Sequence, residues 1–305
     1  MAHPLFSIVI PTYNRRSLVG TALDSALAQD FDGDYEILVG DDGSTDGTPD
    51  FIEATYGDRV KVFRQDNAGP GPARNLAIRH ATGEYLAFLD SDDAFLPWTL
   101  SVYRSLIDRH DKPAILIGNA YDTEDLDKPV ELERTDTRSR RFDHLYASRN
   151  AVQLIATDRL TVRRDVFDEV GPFTGEVKNG EDIDFLARAG LASGYVVIDG
   201  PATFVRRHHP QQVSKEPSGA FEGRMFLLDQ EDAGRYPGGK AYRTHRRELL
   251  SFWARVASMQ MRRMGRADLG MKFYRRVFWW HVGLGRWKYL IAYPLMCLFG
   301  KGSSD

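Results

Sequence analysis

Four short stretches carry side chains whose types and spacing could do chemistry. In "EYLAFLDSDD" an apolar run, Tyr85 to Leu89, leads straight into Asp90, Asp92 and Asp93. Carboxylates this close raise one another's pKa unless a cation lies among them. Hard oxygen donors of this kind suit a hard divalent cation. "ILVGDDGSTDGT" places Asp41 and Asp42 after a second apolar run, "NGEDIDF" sets Glu181 beside Asp182, and "TFVRRHH" ends in His208 and His209. Taken singly, each has a structural explanation. "DDGSTDGT" can be a turn with its own helix caps, Asp93 can cap a helix near Pro97, and Glu181 and Asp182 can complement the positive end of the helix that follows. Those explanations leave the repeated placement of polar residues at strand ends unaccounted for.

The elements that must position these groups alternate along the first half of the chain. "FSIVI" (6–10), "YEILVG" (35–40), "VKVFRQ" (60–65) and "EYLAFL" (84–89) read as strands, the first continuous and β-branched as in a strand buried on both faces. Helical patterns fall between them at 17–29, after Thr48, at 72–80 and at 97–110. Thr48 is expected as an N-cap, with Pro49 the first helical residue. The strand 114–120 follows, then a polar stretch, 121–141, with no periodicity, read as a loop. "YVVID" and "TFVRR" are further strands, and the chain turns helical and arginine-rich after Pro237. Such alternation predicts an α/β fold with a mostly parallel sheet flanked by helices. Ligands of such sheets bind beyond the carboxyl ends of the strands. There Pro11, Thr12, Tyr13 and Asn14 join Asp41, Asp42 and Asp90 to Asp93.

Bulk properties exclude several classes. A net charge of −3 and a pI near 6.3 argue against a general nucleic-acid binder. From Lys240 onward, however, 14 Lys and Arg face 3 Asp and Glu, so residues 1–239 carry the acidic excess. This divides the chain into a unit over 1–239 and a basic helical C-terminal extension over 240–305. The single cysteine, Cys297, allows no internal disulfide and fits a reducing compartment. Without a basic n-region or a long apolar run, a cytoplasmic location is expected.

The segments "SIVIPTYNR", "ILVGDDGSTDGT", "NAGPGPARNLAI", "EYLAFLDSDD", "VGPFTGEVKNGEDIDFLAR" and "RHHPQQVS" occur in this order. Together they resemble family 2 glycosyltransferases with the GT-A fold, over roughly residues 5–215. The resemblance implies a nucleotide-sugar donor, a divalent metal and a single displacement with inversion. It puts the D-x-D motif on Asp90 and Asp92, with Asp92 a ligand of Mn2+ or Mg2+ and Asp90 on the ribose or the metal's shell. It makes Asp42 an acceptor for a base N–H, as uracil offers, with Pro11, Thr12 and Tyr13 in the segment that packs on the base. Arg74 either reaches the nucleotide or pairs with a nearby aspartate. Asp182 becomes the general base for the acceptor hydroxyl, and Asp184, two residues on, points elsewhere. Counting back from Ser214, His209 matches a further metal ligand better than His208.

The implied acceptor is a hydroxyl of a glycan or a lipid-linked glycan. Transfer to a polyprenyl phosphate, and a catalytically silent nucleotide-sugar-binding subunit, are the alternative readings. The tail, with Trp279, Trp280, Trp287, Tyr289 and Tyr293 among basic residues, either lies on an anionic membrane surface at the inner face of the cell membrane or packs back as a helical cap.

Overall fold

The structure, a computed structural model, describes residues 3–125, 130, 132–148, 157–208 and 217–299. Its centre is an eight-stranded sheet in the order β3 (Lys61–Arg64), β2 (Tyr35–Asp41), β1 (Phe6–Thr12), β4 (Tyr85–Phe88), β9 (Leu160–Arg163), β6 (Ile115–Ile117), β10 (Tyr195–Gly200) and β8 (Arg138–Phe142). The first four strands run parallel. β9 then inserts antiparallel between β4 and β6, and β8 closes the far edge antiparallel to β10. β5 (Ala94–Phe95), β11 (Phe204–Arg207) and β7 (Ala120–Thr123) form a second, smaller sheet.

Alternation along β1 separates two apolar layers. Phe6, Ile8 and Ile10 pack on one face with Val19, Ile52 and Leu100, from α1 (Val19–Leu27), α2 (Thr48–Tyr56) and α4 (Thr99–Arg109). Val9 faces the other way, into a cluster with Ala77 of α3 (Pro70–Ile78), Val166 of α5 (Arg164–Val170) and Phe185 of α6 (Glu181–Arg188). A strand buried on both faces is apolar at nearly every position, as "FSIVI" is apart from Ser7, whose buried hydroxyl donates to Glu36 at 2.8 Å. On one side α3 lies directly on β2: a Cβ at Gly40 would sit 2.0 Å from the Ala73 carbonyl oxygen. Glycine at this point sets the depth of the helix that carries Arg74.

Three local expectations are corrected. The stretch 121–141 is not wholly loop, because β7 and β8 take its ends. β8, "RSRRF", is a charged edge strand whose Arg140 makes a two-pronged pair with Asp199 at 2.8 Å. Charged edges of this kind have no apolar run to read. Thr48 lies inside α2 rather than capping it, and Asp46 accepts hydrogen bonds from its N–H at 3.0 Å and its hydroxyl at 2.5 Å. Asp93 does not cap α4, whose N-cap is Trp98, and instead accepts from the Arg207 N–H at 2.9 Å.

The C-terminal helices, those of the basic tail together with the one before them, pack back on the sheet. α7 (Pro217–Asp232), α8 (Arg243–Arg263) and α9 (Ala267–Gly283) add Leu227, Leu228, Leu250, Trp253, Phe273, Val277 and Trp280 to the cluster that holds Val9. A buried pair between Arg246 and Glu231, at 2.5 Å, ties α8 to α7. α10 (Trp287–Phe299) lies on α9 through Tyr274, Tyr289, Leu290 and Tyr293.

His281 of α9 is fully buried beside the Tyr289 ring, with neither ring nitrogen hydrogen-bonded. Burial, reinforced by Arg286 and Arg255, pushes its pKa down to about 4. A folded-state pKa below the unfolded one gives stability that is present above about 6.5 and is lost as pH falls toward 4. Melting temperatures between pH 7 and pH 4 will fall more steeply for the wild type than for His281→Phe. The difference is about 3 kcal/mol at the acid end, and parallel curves would contradict it.

Candidate active site

The carboxyl ends of β1, β2 and β4 stand side by side, with Thr12 opposite Asp41 in the parallel register. The loops after β1 and β2 are stitched to each other. The Asp42 N–H donates to the Thr12 carbonyl at 2.9 Å, the Asn14 N–H to Ser44 Oγ at 2.8 Å, and the Thr45 N–H to Asn14 Oδ1 at 2.8 Å. Pro11 and Thr12 are buried, and Thr12 Oγ1 has no hydrogen-bond partner. Tyr13 is 45% exposed, so its ring is available at the mouth of the crevice.

Asp42 is buried and heavily used. Its Oδ1 accepts from the Ala68 N–H at 2.9 Å and Gln65 Nε2 at 2.8 Å, and its Oδ2 from the Gly69 N–H at 2.8 Å. An ionised carboxylate offers about four acceptor sites, so Asp42 holds the loop before α3 and keeps roughly one site over.

Arg74 joins the two halves of the site. Nearly fully buried on α3, its guanidinium donates to Asp90 Oδ1 at 2.8 Å through Nη2 and to Glu181 Oε1 at 2.7 Å through Nη1. Burial opposes its charge, but Asp90 and Glu181 outweigh burial and hold it protonated. Of the two roles that the sequence allows, the ion pair is formed, and it spans from the end of β4 to the start of α6.

The tightest carboxylate group among the described residues is Asp90, Asp93 and Asp158, with oxygens within 4.8 Å of one another. Asp93 is buried, and burial together with the charges of Asp158, Asp90 and Asp92 pushes its pKa well up. Burial also raises Asp158, against the pull of Arg206, which grips it through Nε at 2.7 Å and Nη2 at 2.6 Å. Of the acidic side chains here, Asp90, 32% exposed, and the half-buried Asp92 reach solvent. Hard donors with surplus negative charge behind them fit a divalent cation that keeps positions for water or phosphate.

α6 begins at Glu181 behind Gly180, whose φ of 96° only glycine adopts readily. Glu181 is buried, and burial and Asp182 push its pKa up to about 7 in spite of Arg74. Asp182 is partly exposed, and its Oδ1 accepts from the Ile183 N–H at 2.7 Å. Burial raises its pKa, with Arg224 and Arg74 working in the other direction. Asp184 points away, pairing with Arg188 at 2.9 Å and accepting from Tyr236 at 3.1 Å.

Arg224 on α7 comes from outside the sequence-derived set. It donates to Asn179 Oδ1 at 2.8 Å and lies 5.3 Å over the Trp253 ring. Gly223 beside it would place a Cβ 1.6 Å from the Asn179 carbonyl. α7 therefore presses on the loop that delivers Asp182. Asp158, Arg206 and Arg224 escaped sequence reading because only the packing brings them to the crevice. His208 pairs with Asp122 at 2.9 Å, and His209 lies outside the described residues.

This sheet, with its antiparallel β9 and its crevice at the strand ends, has the architecture of the GT-A fold. The family model described as glycosyl transferase family 2 matches residues 7–171, and the chain belongs to that family. An uncharacterized glycosyltransferase of Rickettsia felis is 36% identical over 224 residues, covering 70% of this chain and 36% of that protein. The chain thus spans about a third of that relative's length. Among solved structures, residues 1–349 of TarS from S. aureus, in complex with UDP-GlcNAc, align with a TM-score of 0.68 at 23% identity, over 89% of this chain and 81% of that one. A mannosyltransferase from Pyrobaculum calidifontis, in complex with GDP-Man and Mn2+, aligns at 0.53 and 20% identity, over 99% and 89%.

Proposed function

We propose that this glycosyltransferase moves a sugar, with inversion, from a nucleotide diphosphate sugar, UDP-linked by preference, to a hydroxyl of a glycan or lipid-linked glycan. The observation that carries this reading is the Arg74 bridge, which fixes the carboxylates after β4 and the carboxylate helix α6 about one crevice. Thr12 and Tyr13 flank the base, and the spare acceptor site of Asp42 takes a base N–H. Asp92 holds Mn2+ or Mg2+ with His209 a further ligand, Asp90 lies on the ribose or in the metal's shell, and Asp93 and Asp158 add negative charge behind them. When bound, the ion neutralises charge that builds on the diphosphate as the sugar leaves.

Asp182 takes the proton of the acceptor hydroxyl as its oxygen attacks the anomeric carbon from the face opposite the nucleotide. Its partly exposed surface gives the hydroxyl access. Arg224 and Arg74 favour the ionised base that the step requires. The enzyme works in the cytoplasm on acceptors presented at the inner face of the membrane.

The test is release of nucleoside diphosphate from UDP-GlcNAc, UDP-glucose and GDP-mannose, each with Mn2+ and with EDTA. Turnover of one donor that stops with EDTA is expected. Equal turnover in EDTA would overturn the metal assignment. Failure of every donor, with the protein folded, would overturn the transferase reading in favour of a silent nucleotide-sugar-binding subunit.

A further inference from the structure

α10 is apolar on the side that faces away from the protein. Tyr289, Leu290 and Tyr293 bury one side against α9. On the other side Trp287, Ile291, Leu295 and Leu298 are 56%, 64%, 48% and 75% exposed. At 3.6 residues per turn these four lie within about a quarter of the helix circumference. No charged residue occurs from Tyr289 to Phe299. A helix facing water carries polar residues on its outer side, and a contiguous exposed apolar face marks a surface that something covers.

We propose that this face docks on a lipid bilayer with anionic headgroups. The chemistry around it chooses that occupant. Lys288 is exposed on the same side of α10, and Lys272 and Arg275 are exposed on α9 along with Trp279, itself 76% exposed. A second copy of the chain would bring these positive charges against their own kind, whereas an anionic surface complements them. The thirteen residues of α10 rise only about 20 Å, short of the roughly 30 Å of a bilayer core. No helix among the described residues is long and apolar enough to cross a membrane. α10 therefore lies in the plane of the interface, with its apolar side in the acyl boundary and Trp287 at headgroup level. The acidic excess of residues 1–239 is repelled by the same surface, so only the tail makes the contact.

The test is co-sedimentation of the full chain with vesicles of phosphatidylcholine alone and of equal parts phosphatidylcholine and phosphatidylglycerol. It needs no glycosyl donor, so its outcome is independent of the transferase reading. The chain should pellet with the anionic vesicles only, and added salt should release it. Lys288→Glu should weaken binding by at least about fivefold, the contribution of one basic residue near such a surface. Ile291→Ser with Leu295→Ser and Leu298→Ser should weaken it at least tenfold. Should that triple variant misfold, Trp287→Ser alone, with unchanged circular dichroism, should weaken it severalfold. A chain that stays in solution with both vesicles at low salt overturns the proposal, as does binding indifferent to these variants. A lipid-free dimer abolished by the apolar substitutions also overturns it, since the face would then belong to a second copy.

Discussion

Asp182→Asn will lower kcat by about a hundredfold to ten-thousandfold, the usual contribution of a positioned general base, with little change in donor KM. The amide keeps the shape of the side chain but has no basic oxygen for the acceptor proton. Because burial raises the pKa of Asp182, the wild-type rate will fall on the acid side at a pH above the ordinary carboxylate range. The sign follows from the role: a base must be ionised, so activity is lost as pH falls through its raised pKa. Initial rates of nucleoside diphosphate release across pH, for both proteins, supply the check. A variant within threefold of the wild type would remove Asp182 from the chemistry.

Arg74→Met has the largest expected effect on stability. It leaves Glu181 buried, and Asp90 partly so, without their shared cation, and breaking a buried pair in this way costs roughly 3–5 kcal/mol. Arg74→Lys will recover only part of that, since one ammonium does not match the two-pronged reach of a guanidinium. Adding Glu181→Gln to Arg74→Met will restore some stability by removing the stranded charge. Urea midpoints of the three variants test this, and a loss below about 1 kcal/mol, the range of exposed pairs, would refute it.

The sequence made legible those features that depend on neighbours in the chain. β1, β2 and β4 read as strands because burial on both faces favours long apolar runs, and the aspartates after them stood out for the same reason. Asp184 was set aside on helical periodicity, and its pairing with Arg188 agrees. Features that depend on distant partners were not legible. Asp158 reaches Asp93 only because β9 enters the sheet antiparallel beside β4. Arg224 meets the loop before Asp182 only because α7 folds back on it. α7 itself carries apolar residues all round, Phe221, Met225, Phe226, Leu227 and Leu228, so it shows no stripe to mark it. The edge strand β8 hid among charges. Arg74 showed its type but not its choice of partner, which packing of α3 on Gly40 decides.

The donor site at the ends of β1, β2 and β4 is the claim on which the rest depends, and it can be tested without knowing the acceptor. The measurement is thermal stability with UDP, GDP, dTDP and CDP, each with and without Mn2+, on the wild type and on Asp92→Asn. A ligand at about 100 times its dissociation constant adds roughly 2.7 kcal/mol, a shift well within reach of a melting curve. A shift that needs one nucleotide together with Mn2+, UDP by preference, and that fades in Asp92→Asn, is the predicted result. Melting curves that no nucleotide moves, even with the metal present, would contradict the account.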